Sequence, residues 1–115
     1  MIEHIRLNNL DECQRLFHGR GHAYEGLSHV NVDWLPPVVL ITVYQEVEET
    51  WLAENALQLK NLVTECKSVQ VQYRSRKMAP TEVLIGEEIS DTEVLESGLK
   101  YKISLALRLQ RVLEN

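Results

Sequence analysis

Val38-Val39-Leu40-Ile41-Thr42-Val43-Tyr44 is a near-continuous run of β-branched, aliphatic and aromatic residues. Its length and composition predict a central strand, the most buried element of the chain. Pro36 and Pro37 stand immediately before it, and neither can donate a backbone hydrogen bond, so the ladder breaks there. Upstream of the prolines, Val30, Val32 and Trp34 alternate with His29, Asn31 and Asp33, the period of two expected of a strand with one buried face.

Downstream, the acidic stretch Glu46 to Glu49 opens a predicted helix that runs to about Glu65, negative charge being favourable at a helix N-terminus. Leu52, Ala56, Leu59 and Val63 share one stripe of it, with Trp51 and Leu62 at the flanks and Glu54, Gln58, Lys60 and Asn61 facing out. A strand follows from Ser68 to Arg74, where Val69, Val71 and Tyr73 alternate with Gln70, Gln72 and Arg74. Beyond a basic, proline-ended loop from Ser75 to Pro80, three short strands are predicted at Glu82 to Ile85, Thr92 to Glu96 and Lys100 to Leu105. Ser97-Gly98 makes the last pair a tight hairpin. At the other end, Leu7, Leu10, Cys13 or Gln14, and Phe17 recur at helical spacing, with Asn8 or Asn9 as a cap, which predicts a short amphipathic helix ended by Gly19.

This order gives an α+β fold: a single small domain over residues 1–115, with a mixed or mostly antiparallel sheet of about five to six strands and two main helices on one face. A doubly wound parallel sheet would need more alternating helices. The composition, 44% apolar and 25% charged, is that of an ordinary globular domain. No apolar run reaches the roughly 20 residues of a membrane span, and the start lacks a signal-peptide core, so a cytoplasmic location and no membrane partner are expected. Cys13 and Cys66 are too isolated for a disulfide framework or a zinc finger and read as buried, reduced thiols.

The stretch from Phe17 to Val38 holds what packing alone leaves unexplained. Gly19, Gly21 and Gly26 suggest positive φ angles or a close backbone approach, and His18, His22 and His29 raise the question of a metal. The glycines between His18 and His22 disfavour a regular helix, so no metal site is expected. Arg20 fits either a phosphate or carboxylate ligand or an internal brace to Asp33, and the brace is favoured. Trp34, Tyr44, Trp51, Tyr73 and Tyr101 fit either stacking platforms for unpaired bases or ordinary cross-strand packing, with packing favoured. A formal net charge of −5 weighs against autonomous nucleic-acid binding, yet Arg74, Arg76 and Lys77 form the nucleus of a local basic patch. No nucleophile sits beside a base, and the glycine loop neither follows a strand nor opens a helix, so no catalytic or cofactor-binding residue is assigned.

An ordered set of residues nevertheless resembles a known family. Arg15-Leu16-Phe17-His18-Gly19-Arg20-Gly21-His22, then Tyr24, Gly26-Leu27, Val32-Asp33-Trp34, Pro37-Val38, Gln72-Tyr73-Arg74, Gly86 and Glu96-x-Gly98-Leu99-Lys100-Tyr101 look like the N-terminal region of bacterial class I S-adenosylmethionine-dependent methyltransferases, similar to those that modify large-subunit ribosomal RNA. The resemblance covers roughly residues 7 to 105. It implies a small domain that precedes the Rossmann-like cofactor domain and helps engage RNA. The family continues past this point into that domain, whereas this chain runs Ile103-Ser104-Leu105-Ala106-Leu107-Arg108-Leu109-Gln110-Arg111 to Asn115.

The resemblance therefore implies a non-catalytic accessory domain, or a truncated relative, that binds no S-adenosylmethionine itself. Arg20, Arg74, Arg76 and Lys77 are its expected RNA or partner contacts, and His18, Gly19, Arg20, Gly21, His22, Tyr24, Gly26 and Asp33 its signature loop. The competing expectation is an acidic protein-interaction module that docks on a separate methyltransferase domain, or forms a homodimer, through Leu105, Leu107, Leu109 and Leu113.

Overall fold

A computed structural model describes residues 1–19 and 26–89, and the backbone of the strands within 91–104. The run that begins at Val38 forms β3 (Val38–Val43), in the middle of a five-stranded sheet with β1 (Gln14–His18), β2 (Val30–Leu35), β4 (Ser68–Tyr73) and β5 (Thr81–Gly86), in the order β1-β2-β3-β4-β5. Neighbouring strands are antiparallel except for β3 and β4, which run parallel with Val38 opposite Ser68 and Val43 opposite Tyr73. A parallel pair needs a crossover, and α1 (Glu49–Leu62) supplies it. A separate hairpin joins β6 (Asp91–Glu96) and β7 (Leu99–Ser104). The expected mixed sheet is present.

β3 is buried along its whole length, as its sequence predicts. Val39, Ile41 and Val43, with Val30, Val32 and Trp34 of β2 and Val69, Val71 and Tyr73 of β4, form one core with Leu52, Ala56, Leu59 and Val63 from the helix segment. The sheet's other face is also covered: Asn31, Thr42, Ser68, Gln70 and Gln72 are all buried, with Leu35, Val38 and Leu40 forming a second small apolar cluster. Trp34 and Tyr73 belong to the main core, so the packing reading holds for these two; the Tyr101 side chain and the apolar residues Leu105, Leu107, Leu109 and Leu113 lie outside the described residues. Pro36-Pro37, joined by a cis peptide bond, connects β2 to β3, whose ladder closes at Leu35 opposite Val38.

One expected element is corrected. Residues 7–17 form no helix: residues 6–13 are irregular, apart from a short turn and an isolated bridge, and Gln14–His18 pairs with β2, leaving one main helix among the described residues instead of two. Two local facts overrule the helical spacing. Asn9 Oδ1 accepts from the Asp11 backbone amide, and Gln14 bonds both the Asn8 amide and the Asn9 carbonyl, so side chains take the backbone partners that a helix would use. The β1–β2 register shifts between Arg15 and Phe17, and this bulge leaves the consecutive residues Leu16 and Phe17 both buried, a pattern a regular strand would not give. Trp34 Nε1 then donates to the Leu10 carbonyl at 2.9 Å, fastening the irregular segment to the sheet.

Cys66 is buried and Cys13 half-buried, and neither forms a disulfide. Burial pushes the Cys66 thiol pKa up, and its Sγ donates to the Ser68 carbonyl. No helix among the described residues is long and apolar enough to cross a membrane.

The helix stripe yields a direct test. Leu59 is fully buried and Leu57 is 54% exposed, two turn-neighbours of the same type in one helix. Leu59→Ala should cost about 2–5 kcal/mol in urea denaturation, and Leu57→Ala about 0.5 kcal/mol or less. Equal costs would contradict the packing of α1.

Candidate functional site

The register of β1 to β4 brings three connections to one edge of the sheet. His18 lies opposite Asn31, Val30 opposite Val43, and Val43 opposite Tyr73. The residues just beyond these rungs are therefore neighbours, as the Tyr44 amide bonding the His29 carbonyl and the Arg74 amide bonding the Val43 carbonyl show. The edge carries the flanks of the glycine loop, the β3–α1 connection from Tyr44 to Glu48, and the β4–β5 turn from Arg74 to Pro80.

Glycine is required where the loop leaves β1. A Cβ on Gly19 would lie 1.9 Å from the Leu27 carbonyl oxygen and 2.3 Å from that of Val30. Gly26 meets the other half of the expectation, a positive φ, at +76°. His18 Nδ1 is 2.9 Å from the Arg15 guanidinium, which can only donate, so Nδ1 accepts. Arg15 Nε also donates to Asp33 Oδ1 at 2.6 Å, across the ladder. Asp33 is thus braced by the residue opposite it; Arg20, Gly21, His22 and Tyr24 lie outside the described residues, and with them the expected Arg20–Asp33 contact. His29 stands on the far side of the loop, its ring centroid 6.2 Å from that of Trp51. Burial lowers the pKa of His29. Among the described residues no group of three or more His, Cys, Asp or Glu is placed to hold a metal ion.

The β4–β5 turn carries Arg74, Arg76 and Lys77, and the three are unevenly committed. Arg76 forms a fork on Glu46, with Nε to Oε2 at 3.0 Å and a terminal nitrogen to Oε1 at 2.7 Å, while Ser75 Oγ donates to the same Oε2. The Arg76 guanidinium also lies 3.8 Å from the centre of the Tyr73 ring. Arg74 lies over Tyr44 at 5.2 Å. Lys77 is exposed and has no ion-pair partner among the described residues. Beyond it, Met78 and Ala79 adopt φ of 69° and 44°, a conformation that L-residues with a Cβ rarely hold. The turn is tied down by the Ala79 amide on the Arg76 carbonyl and by Gln72 Nε2 on the Ala79 carbonyl. Met78 projects from it, 85% exposed.

Sequence reasoning missed Glu46, read only as a helix-opening acid. It ties the β3–α1 connection to the β4–β5 turn, across about thirty residues of chain. Beside it, Gly26, Leu27, His29, Glu46, Val47, Glu48 and Trp51 line a cleft of about 340 Å³. The connection into α1 contains no glycine and carries Gln45, Glu46 and Glu48, unlike a loop built to cradle an anion at a helix N-terminus.

The family model for S-adenosylmethionine-dependent methyltransferases matches residues 14–113, nearly the whole chain. The chain belongs to this methyltransferase family. No curated protein matches it significantly. Among solved structures it is similar to a "putative SAM-dependent methyltransferase" from Streptococcus mutans, with a TM-score of 0.64 and 20% identity over 85% of this chain and 25% of that one. A second structure, of "a putative methyltransferase complexed with SAH", matches at the same TM-score and identity over 24% of its length. At this identity the likeness is one of fold. This methyltransferase-family chain spans about a quarter of the length of those structures.

The Glu46 fork has a measurable consequence. Hydrogen bonds from Arg76, then Ser75, hold the Glu46 carboxyl at about 2 instead of 4.5. The interaction therefore favours the folded chain above pH 4.5, and that contribution fades as pH falls towards 2. Carboxyl-detected NMR titration should find Glu46 near 2 in the parent chain and clearly raised towards 4.5 in Arg76→Ala, with the Ser75 hydrogen bond still holding it below that value. A midpoint unchanged by the substitution would show that the fork does not form in solution.

Proposed function

We propose that this chain is a non-catalytic, substrate-engaging portion of a ribosomal RNA methyltransferase, and that the β4–β5 turn is its RNA contact. The reading rests on membership of the methyltransferase family together with one feature of the fold: a cationic turn, its backbone tied at Arg76 and Ala79, at one end of the sheet in an otherwise acidic chain. Phosphate contacts need accessible Lys and Arg, and their register is better fixed when the backbone that carries them is held.

The residues divide the work. Lys77 is exposed and unpaired among the described residues, and it offers a mobile point charge to phosphate. Arg74, half-buried over Tyr44, offers a positioned guanidinium. Arg76, already engaged by Glu46 and Tyr73, shapes the turn and contributes little free charge. Arg20 remains a proposed contact from the sequence alone. S-adenosylmethionine and the reacting groups belong, in this reading, to a cofactor domain of the kind the family contains.

Fluorescence anisotropy with a ribosomal RNA fragment tests the proposal. Binding should be weak, as the net charge of −5 requires. It should fall by at least about tenfold between ~50 mM and ~200 mM salt. Arg74→Ala combined with Lys77→Ala should weaken it further and flatten the salt dependence by about two phosphate contacts. Absence of binding at ~50 mM salt, or indifference to the double substitution, would overturn the assignment.

A further inference from the structure

The cleft beside the turn differs from it in charge. Its described lining combines an aromatic wall, Trp51 with the His29 ring against it, apolar surface from Leu27 and Val47, and two carboxylates, Glu46 and Glu48. Glu46 is offset by Arg76, whereas Glu48 has no ion-pair partner among the described residues. No Lys or Arg contributes to the described lining. Burial keeps His29 biased towards its neutral form, so the imidazole adds no compensating charge near neutral pH.

The same edge shows what such surroundings accept. Arg76 lies over Tyr73 and forks onto Glu46; Arg74 lies over Tyr44. Each is a guanidinium on an aromatic face, the first closed by a carboxylate. Trp51 and Glu48 bring an aromatic ring and a carboxylate to the same cleft, with no arginine in its described lining. The side chain of Glu48 caps no helix amide, so its charge is not consumed by α1.

We propose that this cleft receives an arginine side chain from a basic segment of a partner protein, stacked against Trp51 and neutralised by Glu48. The aromatic indole is the best natural surface for a guanidinium. The volume of about 340 Å³ lies at the small end of ligand pockets and suits one side chain, not a cofactor. An anion would meet Glu46 and Glu48, so RNA is not the expected occupant. The interaction is separate from the RNA contact at the turn and does not rest on it.

Tryptophan emission provides the readout, because Trp34 is fully buried and Trp51 lines the cleft. Hexa-arginine amide is titrated into the chain at ~50 mM salt, with hexa-glutamate as the opposite-charge probe. A saturable change with hexa-arginine alone is expected. Glu48→Gln should weaken it about tenfold, the size of one lost charge-assisted hydrogen bond. Glu87→Gln makes the same change in net charge at the sheet's opposite edge, where the Glu87 amide bonds the Lys67 carbonyl, and should alter the affinity less than about twofold. Equal weakening by the two substitutions would mean diffuse attraction to an acidic chain and would overturn the proposal. So would a flat titration, or an equal response to hexa-glutamate. Both glutamates are exposed, so neither variant threatens folding.

Discussion

The parallel pairing of β3 with β4 is the constraint on which the rest of this structure depends. Antiparallel neighbours could have been joined by a tight turn, but a parallel rung from Val38–Ser68 to Val43–Tyr73 forces the chain to return across the sheet, and α1 makes that return. The helix then needs an apolar stripe to seat on the sheet, which Leu52, Ala56, Leu59 and Val63 provide. Because both strands end at the same edge, the connection leaving β3 and the turn leaving β4 emerge side by side. The basic turn and its joint with Glu46 follow from that adjacency.

Glu46 turns adjacency into a joint. Its carboxylate receives Arg76 and Ser75 from the turn while its backbone belongs to the connection that borders the cleft. The pair is solvent-exposed, with side chains 46% and 61% accessible, so its value lies in geometry more than in stability. It fixes a guanidinium on Tyr73, leaves Lys77 uncommitted, and separates a cationic turn from an acidic cleft. Two surfaces of opposite sign thereby share one edge, suited to partners of opposite charge.

Much of the fold was legible in the sequence because the decisive signals were long. The run at Val38, the stripe of α1 and the alternation of Val69, Val71 and Tyr73 each extend over several residues and agree with their tertiary setting. The N-terminal segment misled because helical spacing over Leu7, Leu10 and Phe17 was produced by an irregular stretch plus a bulged strand, held by Asn9, Gln14 and the long-range contact of Trp34. At the site, Gly19 was readable as a close approach and Arg74 to Lys77 as a basic patch. Glu46 was not, since nothing local in an acidic helix start marks one carboxylate as the partner of an arginine about thirty residues away. The brace expected for Asp33 was from Arg20, which lies outside the described residues, and the contact from Arg15 is a cross-strand one that only the register reveals.

Hydrogen exchange read by mass spectrometry, with and without ribosomal RNA, tests the central claim most directly. The Arg74, Arg76 and Ala79 amides are hydrogen-bonded, while Ser75, Lys77 and Met78 are exposed and their amides should exchange faster in the free chain. The account predicts that RNA slows exchange across residues 74–80 and leaves α1 and the β2–β3 hairpin unchanged. Protection confined to any other segment, or none at RNA concentrations that saturate binding, would contradict it.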